Sequence, residues 1–238
     1  MSAIVVISSH YESRRFPGKP LAKINGKEMI LYCAKSAISA VGNENIIVAT
    51  DSPEIESFVT SHGINTVKVE TMRCSNCSDC TSEAIRNMDV DVIVDLQGDE
   101  PLVKPEDILK AIELKRSSNE HVINAFAYEK DGESTNTIKA VVKNNYASEL
   151  IYMSRLPIPF ASRIFTKQIG LYCFYKNQLN SIYGYDKPKG LMERLEDVHI
   201  LRCLDNNIKV KMFRVDGKYQ SVDVPDDIKK VEDILNDK

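Results

Sequence analysis

Three short apolar runs constrain this chain most: AIVVIS at Ala3–Ser8, NIIVAT at Asn45–Thr50 and DVIVDL at Asp91–Leu96. Their hydrophobic residues are nearly continuous, so each predicted strand is one covered on both faces. That is the signature of a parallel sheet sandwiched between helices. Segments of helical character lie between the runs. Glu28–Val41 places Met29, Leu31, Tyr32, Ala34 and Ile38 on one side. Asp51-Ser52-Pro53-Glu54 opens a second helix, with Ser52 as N-cap, Pro53 in the first turn and Glu54 complementing the dipole. Gly63 ends it. Thr66–Val69 reads as a strand, Thr81–Met88 as a short helix and Lys104–Ser117 as a longer one. The predicted class is α/β, a Rossmann-like fold with a mostly parallel central sheet flanked by helices.

The second half is less regular. Val122–Tyr128, Ile138–Lys143, Glu149–Ser154 and Gly170–Tyr175 read as strands, with a polar loop at Lys130–Asn136 and a turn at Asn144-Asn145. A helix over Met192–Leu204, a strand at Lys209–Arg214 and an amphipathic helix carrying Ile228, Val231 and Ile234 complete the chain. No repeat or flexible linker interrupts it. The 238 residues therefore read as one domain, 1–238, with a smaller β-rich subregion inserted at 125–190.

Composition narrows the function. The content is 43% hydrophobic and 27% charged, as in ordinary globular proteins, and the formal net charge is −3. That balance argues against a general nucleic-acid or anionic-membrane binder. The opening apolar run is too short for a signal peptide or a membrane span, so the expected compartment is the cytoplasm. Cys74, Cys77 and Cys80 form C-x-x-C-x-x-C, which lacks a fourth zinc or iron–sulfur ligand nearby. Free thiols in a small-residue loop are expected there.

Chemistry concentrates at strand ends. His10-Tyr11-Glu12-Ser13-Arg14-Arg15-Phe16-Pro17-Gly18-Lys19-Pro20-Leu21 is a basic, Gly-containing loop after the first strand, the place where open α/β sheets bind anionic ligands. It lacks the spacing of a Walker A loop, and a basic solvated turn is the competing reading. Asp99 follows another strand in a Gly-Asp-Glu-Pro turn, and Asp223 precedes the last helix. Two such carboxylates suit an oxygen-ligand Mg²⁺ site that recruits phosphate oxygens; turn and cap roles are the alternative.

The runs FPGKPLAKINGKEMI, IIVATD, VDLQGDEPLV, SRLPIP and VDVPDD occur in this order over essentially the whole chain. Together they resemble the cytidylyltransferases that make CMP-3-deoxy-D-manno-octulosonate (CMP-Kdo) from CTP, and more distantly the CMP-sialate synthetases. The resemblance implies a nucleotide-diphospho-sugar transferase fold, Mg²⁺ dependence, release of pyrophosphate, and a role in surface polysaccharide or lipopolysaccharide synthesis. It implies Lys19, Arg15 and Asp99 as catalytic residues. His10, Ser13, Arg15, Lys19, Thr81 and Gln97 would hold the nucleotide, and Arg155, Gln168, Glu196 and Asp197 the sugar acid. Asp99 and Asp223 would be the metal carboxylates. The family's homodimers point to Ile138–Phe165 as the contact, within a sugar-binding and dimerisation subregion at 125–190.

The departures fall in three places, one being the family's H-x-S-G-T-[DE]-R loop near the nucleotide, which aligns poorly with Cys77-Ser78-Asp79-Cys80-Thr81-Ser82-Glu83 and keeps only Thr81. Ser8-Ser9-His10 stands where the family carries Pro-Ala-Arg, so His10 replaces a phosphate-binding arginine and carries full charge only at lower pH. Gln168 replaces a sugar-contacting histidine, and Glu196-Asp197 is matched to a Glu-Gln pair. An added carboxylate at Asp197 would favour a cationic substituent such as the amino group of 8-amino-Kdo; Kdo itself, a nonulosonic acid, and a catalytically inactive nucleotide-binding homologue are the other readings.

Overall fold

The computed structural model describes residues 2–130, 132–143 and 148–237, with the side chain of Ser148 excepted. The predicted turn at Asn144-Asn145 lies outside the described residues. Through the first half the elements run β1 (Ala3–Ser8), β2 (Lys23–Ile24), β3 (Lys27–Glu28), α1 (Met29–Val41), β4 (Ile46–Thr50), α2 (Pro53–Ser61), β5 (Thr66–Lys68), α3 (Cys77–Ala84), β6 (Val92–Gln97) and α4 (Pro105–Arg116). They continue with β7 (Val122–Glu129), β8 (Lys139–Val142), β9 (Ser148–Ser154), β10 (Phe165–Tyr175), α5 (Lys176–Ile182), α6 (Leu191–Glu196), α7 (Leu201–Asp205), β11 (Val210–Arg214) and α8 (Asp226–Asn236).

One nine-stranded sheet carries the molecule in the order β5-β4-β1-β6-β10-β7-β11-β9-β8. The β5-β4-β1-β6 half is parallel throughout, as the apolar runs predict. β10 then runs antiparallel between β6 and β7, and its first residues pair with β8 as well. Strands β10, β7, β11, β9 and β8 thus close a circuit of pairings that draws β11 (Val210–Arg214), from beyond the 125–190 segment, in beside the strands of that segment.

Alternation sorts β1 between two cores. Val5 and Ile7 join α1, α4 and α8 on one face; Ile4 and Val6 join α3, α5 and α7 on the other. Each fully buried Val or Ile contributes about 1.5–3 kcal/mol, and Val5, Val6 and Ile7 are all fully buried. Ser52 caps α2 as expected, accepting from the Ile55 N–H at 3.3 Å.

Three expectations need correction. The helix predicted over Thr81–Met88 is α3, Cys77–Ala84; Asn76 caps it by accepting from the Asp79 N–H at 3.0 Å, which pulls its start four residues forward. The helix predicted over Met192–Leu204 is broken into α6 and α7 because Asp197 turns left-handed at φ 52°. The cysteines expected to be free are partly paired: Cys74 and Cys80 form a disulfide, while Cys77 stays free.

Candidate active site

The C-terminal ends of β1, β4 and β6 open on one edge of the sheet, where Ser8 sits in register with Ala49 and Gln97. β1 is also where strand order reverses, so the crevice above it is the ligand position of an open α/β sheet. The basic loop after β1 folds back over this edge: the Gly18 N–H donates to the Tyr11 carbonyl at 2.8 Å. This return delivers Lys19 and Arg15 to two different carboxylates.

Lys19 Nζ donates to Asp99 Oδ2 at 2.6 Å and to the Val222 carbonyl at 2.9 Å. Burial works against the ammonium, but the Asp99 charge prevails and its pKa is raised. Arg15 Nη2 donates to Asp223 Oδ1 at 2.7 Å, and Arg15 Nη1 bonds Asn136 Oδ1. Burial, then the nearby Asp99 charge, pushes the Asp223 carboxyl up. The Asp99 carbonyl accepts from the Val222 N–H at 2.9 Å, so the two acidic turns are tied together through their backbones. Asp227 Oδ2 accepts from the Asp223 and Val224 N–H groups and fixes the second turn.

A cavity runs from these ion pairs along β10. It is lined by Arg15, Gln97, Asp99, Glu100, Asn136, Arg155, Lys167, Gln168, Asp197, His199 and Asp223, among others. Asp99 Oδ1, Glu100 Oε2, Arg155 Nε and His199 Nε2 are buried without a hydrogen-bond partner, and all four residues line this one cavity. Buried polar atoms are nearly always satisfied, so four orphans in one place mark a site shaped for a polar ligand. Burial, then Asp99, pushes the Glu100 carboxyl up to about 8. Burial, then the Arg202 charge, pushes His199 down to about 3, so its imidazole is neutral.

A second cavity adjoins the first through Asp197. Ser8, Ser9, His10, Glu12, Arg14, Thr71, Met72, Ser75, Asn76, Lys189 and the three cysteines of the C-x-x-C-x-x-C run line it. His10 stands exposed at its mouth, and the enclosing walls, then the Lys19 charge, hold the imidazole below its usual range.

The sequence-predicted residues distribute unevenly over these cavities. Arg15, Asp99, Asp223, Gln97, Arg155, Gln168, Asp197 and His10 line them, while Lys19 lines a separate small pocket shared with Ser8, Ser9, His10 and Asp99. Thr81 does not: it is fully buried, donates to Asp95 Oδ1 at 2.8 Å and shares a 2.9 Å bond with Ser8 Oγ, so it supports Ser8 from beneath. Ser13 sits in the basic loop outside the lining, its N–H donating to the Tyr11 carbonyl. Glu196 is committed to the protein, accepting from Ser154 Oγ at 2.7 Å and Tyr152 Oη at 3.1 Å. Gln168 donates to Tyr172 Oη at 2.9 Å. Arg155 Nη2 donates to the Asp197 carbonyl at 2.9 Å, with that residue's carboxylate 3.4 Å away.

Sequence reasoning missed Glu100, Lys167, Asn136 and His199. Glu100 stood in the quoted GDEP turn, and its partner, the Gly170 N–H at 2.8 Å, is far along the chain. His199 was hidden by the unbroken helix, which gave no reason to turn it toward the cavity.

A doubly wound sheet with cation–carboxylate pairs at its switch point defines a nucleotidyltransferase-type α/β protein. The chain belongs to the cytidylyltransferase family, whose model matches residues 4–214. It is 35% identical to the 8-amino-3,8-dideoxy-manno-octulosonate cytidylyltransferase of Shewanella sp. (strain W3-18-1), with 99% of each chain covered. It is 32% identical to the 3-deoxy-manno-octulosonate cytidylyltransferase of Thermodesulfovibrio yellowstonii, again with 99% of each covered. Among solved structures it resembles CMP:2-keto-3-deoxy-manno-octonic acid synthetase complexed with CTP, at TM-score 0.86 and 27% identity over 100% of this chain and 99% of that one.

Proposed function

We propose that this chain transfers a cytidylyl group from CTP to 3-deoxy-manno-octulosonate or its 8-amino analogue, releasing pyrophosphate, with Mg²⁺ as cofactor. The observation that carries the reading is the cavity with four unpartnered polar atoms, Asp99 Oδ1, Glu100 Oε2, Arg155 Nε and His199 Nε2, set against two cation–carboxylate pairs. The sugar's anomeric hydroxyl attacks the α-phosphorus, an O–P bond forms as the hydroxyl proton is released to solvent, and the bond to pyrophosphate breaks with its electron pair leaving on pyrophosphate. Lys19 and Arg15 are placed to neutralise phosphate oxygens as charge develops on the leaving group. Gln97 and the cavity walls orient the reacting groups, where most of the barrier reduction in such transfers arises.

The donor set fits Mg²⁺: two hard carboxylates, Asp99 and Asp223, with one oxygen of Asp99 unpartnered. Bound there, Mg²⁺ would supply charge neutralisation for phosphate oxygens. Arg155 presents an unpartnered Nε toward the cavity, which suits the carboxylate of an ulosonic acid. The Asp197 carboxylate, expected to attract an ammonium substituent, already faces the Arg155 guanidinium. Its charge is therefore shared, which favours Kdo over the 8-amino sugar.

A cytoplasmic homodimer is part of the reading. Ile151, Leu156, Phe160 and Ile164 are exposed within the segment expected at the contact, and no helix among the described residues is long and apolar enough to cross a membrane. Pyrophosphate release with CTP, Mg²⁺ and a panel of Kdo, 8-amino-Kdo and sialate-type acids tests the function. Turnover with Kdo is expected; CTP binding without turnover of any acid overturns it in favour of an inactive nucleotide-binding homologue.

A further inference from the structure

Cys74 and Cys80 are joined by a disulfide, and both line the cavity that holds His10 and Arg14. No step of the transfer uses either sulfur. The bond ties Cys74, at one wall of that cavity, to α3, while Ser75 and Asn76 beside it hold to α3 through their own hydrogen bonds. The α3 side is rigid by other means: Arg202 Nη1 donates to Asp79 Oδ1 at 2.8 Å, and Asp79 Oδ2 accepts from the Ser75 N–H at 3.0 Å. Ahead of Ser75 the chain is held by the disulfide, by the Thr71 N–H donating to Asp51 Oδ2 at 3.1 Å, by the Glu70 N–H donating to Tyr185 Oη at 2.6 Å and by Arg73 lying over the Tyr185 ring. Breaking the bond therefore loosens the Cys74 corner of the wall without unfastening the helix.

We propose that the Cys74–Cys80 pair is a thiol–disulfide modification site that sets the affinity of the adjoining cavity for its nucleotide. The proposal rests on the proposed cytidylyl transfer and takes this cavity, lined by His10 of the expected nucleotide set, as the one that receives CTP. An external thiolate attacks the half-buried Cys74 sulfur, and the S–S bond breaks with its electron pair leaving on Cys80, which takes up a proton. A second external thiol attacks the mixed disulfide, releasing Cys74 as a thiol and leaving as an external disulfide. Two electrons and two protons pass from the external thiols to the cysteine pair. Cys77 takes no part, because burial, then the Asp95 charge, pushes its thiol up and keeps it protonated. In a reducing compartment, disulfides that do occur are usually transient or redox-sensing.

The test uses the full chain treated with dithiothreitol or with oxidised glutathione, read by differential alkylation with mass spectrometry and by calorimetric titration with CTP. The oxidised protein is expected to protect Cys74 and Cys80 together from alkylation. Reduction is expected to weaken CTP binding about tenfold, because the freed wall must be re-ordered by the ligand. Cys80→Ser holds the weaker affinity under both treatments, and Cys77→Ser still switches. Reduced glutathione and a small dithiol protein, tried separately, identify which thiol source acts. Alkylation of both cysteines in the oxidised protein overturns the proposal. So does CTP affinity that ignores a verified disulfide, which leaves the nucleotide assignment standing. CTP binding to neither form overturns that assignment and the switch with it.

Discussion

Lys19 and Asp99, eighty residues apart in the chain, meet at 2.6 Å with both side chains largely shielded from water. The pair joins the basic loop after β1 to the acidic turn after β6, and no other described contact brings a cation from the basic loop so close to Asp99. Lys19→Met removes the cation and leaves Asp99 Oδ2 without its ammonium donor. Cytidylyl transfer is expected to fall about 10²–10³-fold in kcat/KM. Steady-state pyrophosphate release measures it, and a loss under threefold would remove Lys19 from the catalytic set.

Arg15 likewise closes on Asp223 at 2.7 Å, although its side chain is more exposed than that of Lys19. The raised pKa of Asp223, from burial and then the Asp99 charge, says that a further cation between the two carboxylates would be welcome. Asp223→Asn is expected to weaken Mg²⁺ binding at least tenfold, about 1.4 kcal/mol. Calorimetric titration with Mg²⁺ in the presence of CTP reads this directly, and an unchanged affinity would move the metal elsewhere.

How much of this could be read from residues alone differs by element. The parallel half of the sheet was legible because AIVVIS, NIIVAT and DVIVDL are apolar on both faces, which only a doubly covered strand explains. Asp99 and Asp223 were legible as strand-end and pre-helix carboxylates, although their closeness to Lys19 and Arg15 is a tertiary fact. The break between α6 and α7 was not, because a left-handed aspartate inside a helical pattern leaves no periodicity signal. Thr81 looked like a ligand residue by resemblance, while its depth beneath Ser8 and Asp95 depends on where α3 starts. Pairing of Cys74 with Cys80 likewise required the helical turn that brings them together.

Gly170 gives a steric test of the floor. A Cβ there would run into Gln97 Oε1 and lie 2.9 Å from Gln97 Cβ, so any side chain displaces Gln97. Gly170→Ala is expected to cost about 1–3 kcal/mol in stability, the usual penalty of overpacking. It should also lower kcat/KM by more than the folded fraction explains. Urea denaturation beside initial rates on the folded protein separates the two effects.

His199 should imprint itself on acid stability. Its folded pKa of about 3 lies well below the ordinary histidine value of 6.5, through burial and then the Arg202 charge. The unfolded chain therefore binds the proton more strongly, and stability is lost as pH falls below 6.5. At about 1.36 kcal/mol per pH unit, the loss reaches roughly 2 kcal/mol by pH 5. His199→Gln should lose that much less than the parent between pH 7 and pH 5 in urea titrations. Parallel curves for the two proteins would place a solvated imidazole there instead.

His10 offers the sharpest test of the phosphate side. It stands at the mouth of the second cavity, with Lys19, Asp99 and Asp51 as the charges acting on it. The cavity walls and Lys19 lower its pKa, so the imidazole is neutral at pH 7.5 and gains its charge only in acid. An arginine would carry that charge at every working pH and could grip a phosphate with two donors. His10→Arg is therefore expected to lower the KM for CTP several-fold at pH 7.5, about 1 kcal/mol. The gap between variant and parent should narrow once the pH falls far enough below 6.5 for the parent's imidazole to take up its proton. A variant that binds CTP more weakly at pH 7.5 would mean that Ser8-Ser9-His10 is fitted around a neutral ring, and that the triphosphate approaches from the Arg14 side of the loop.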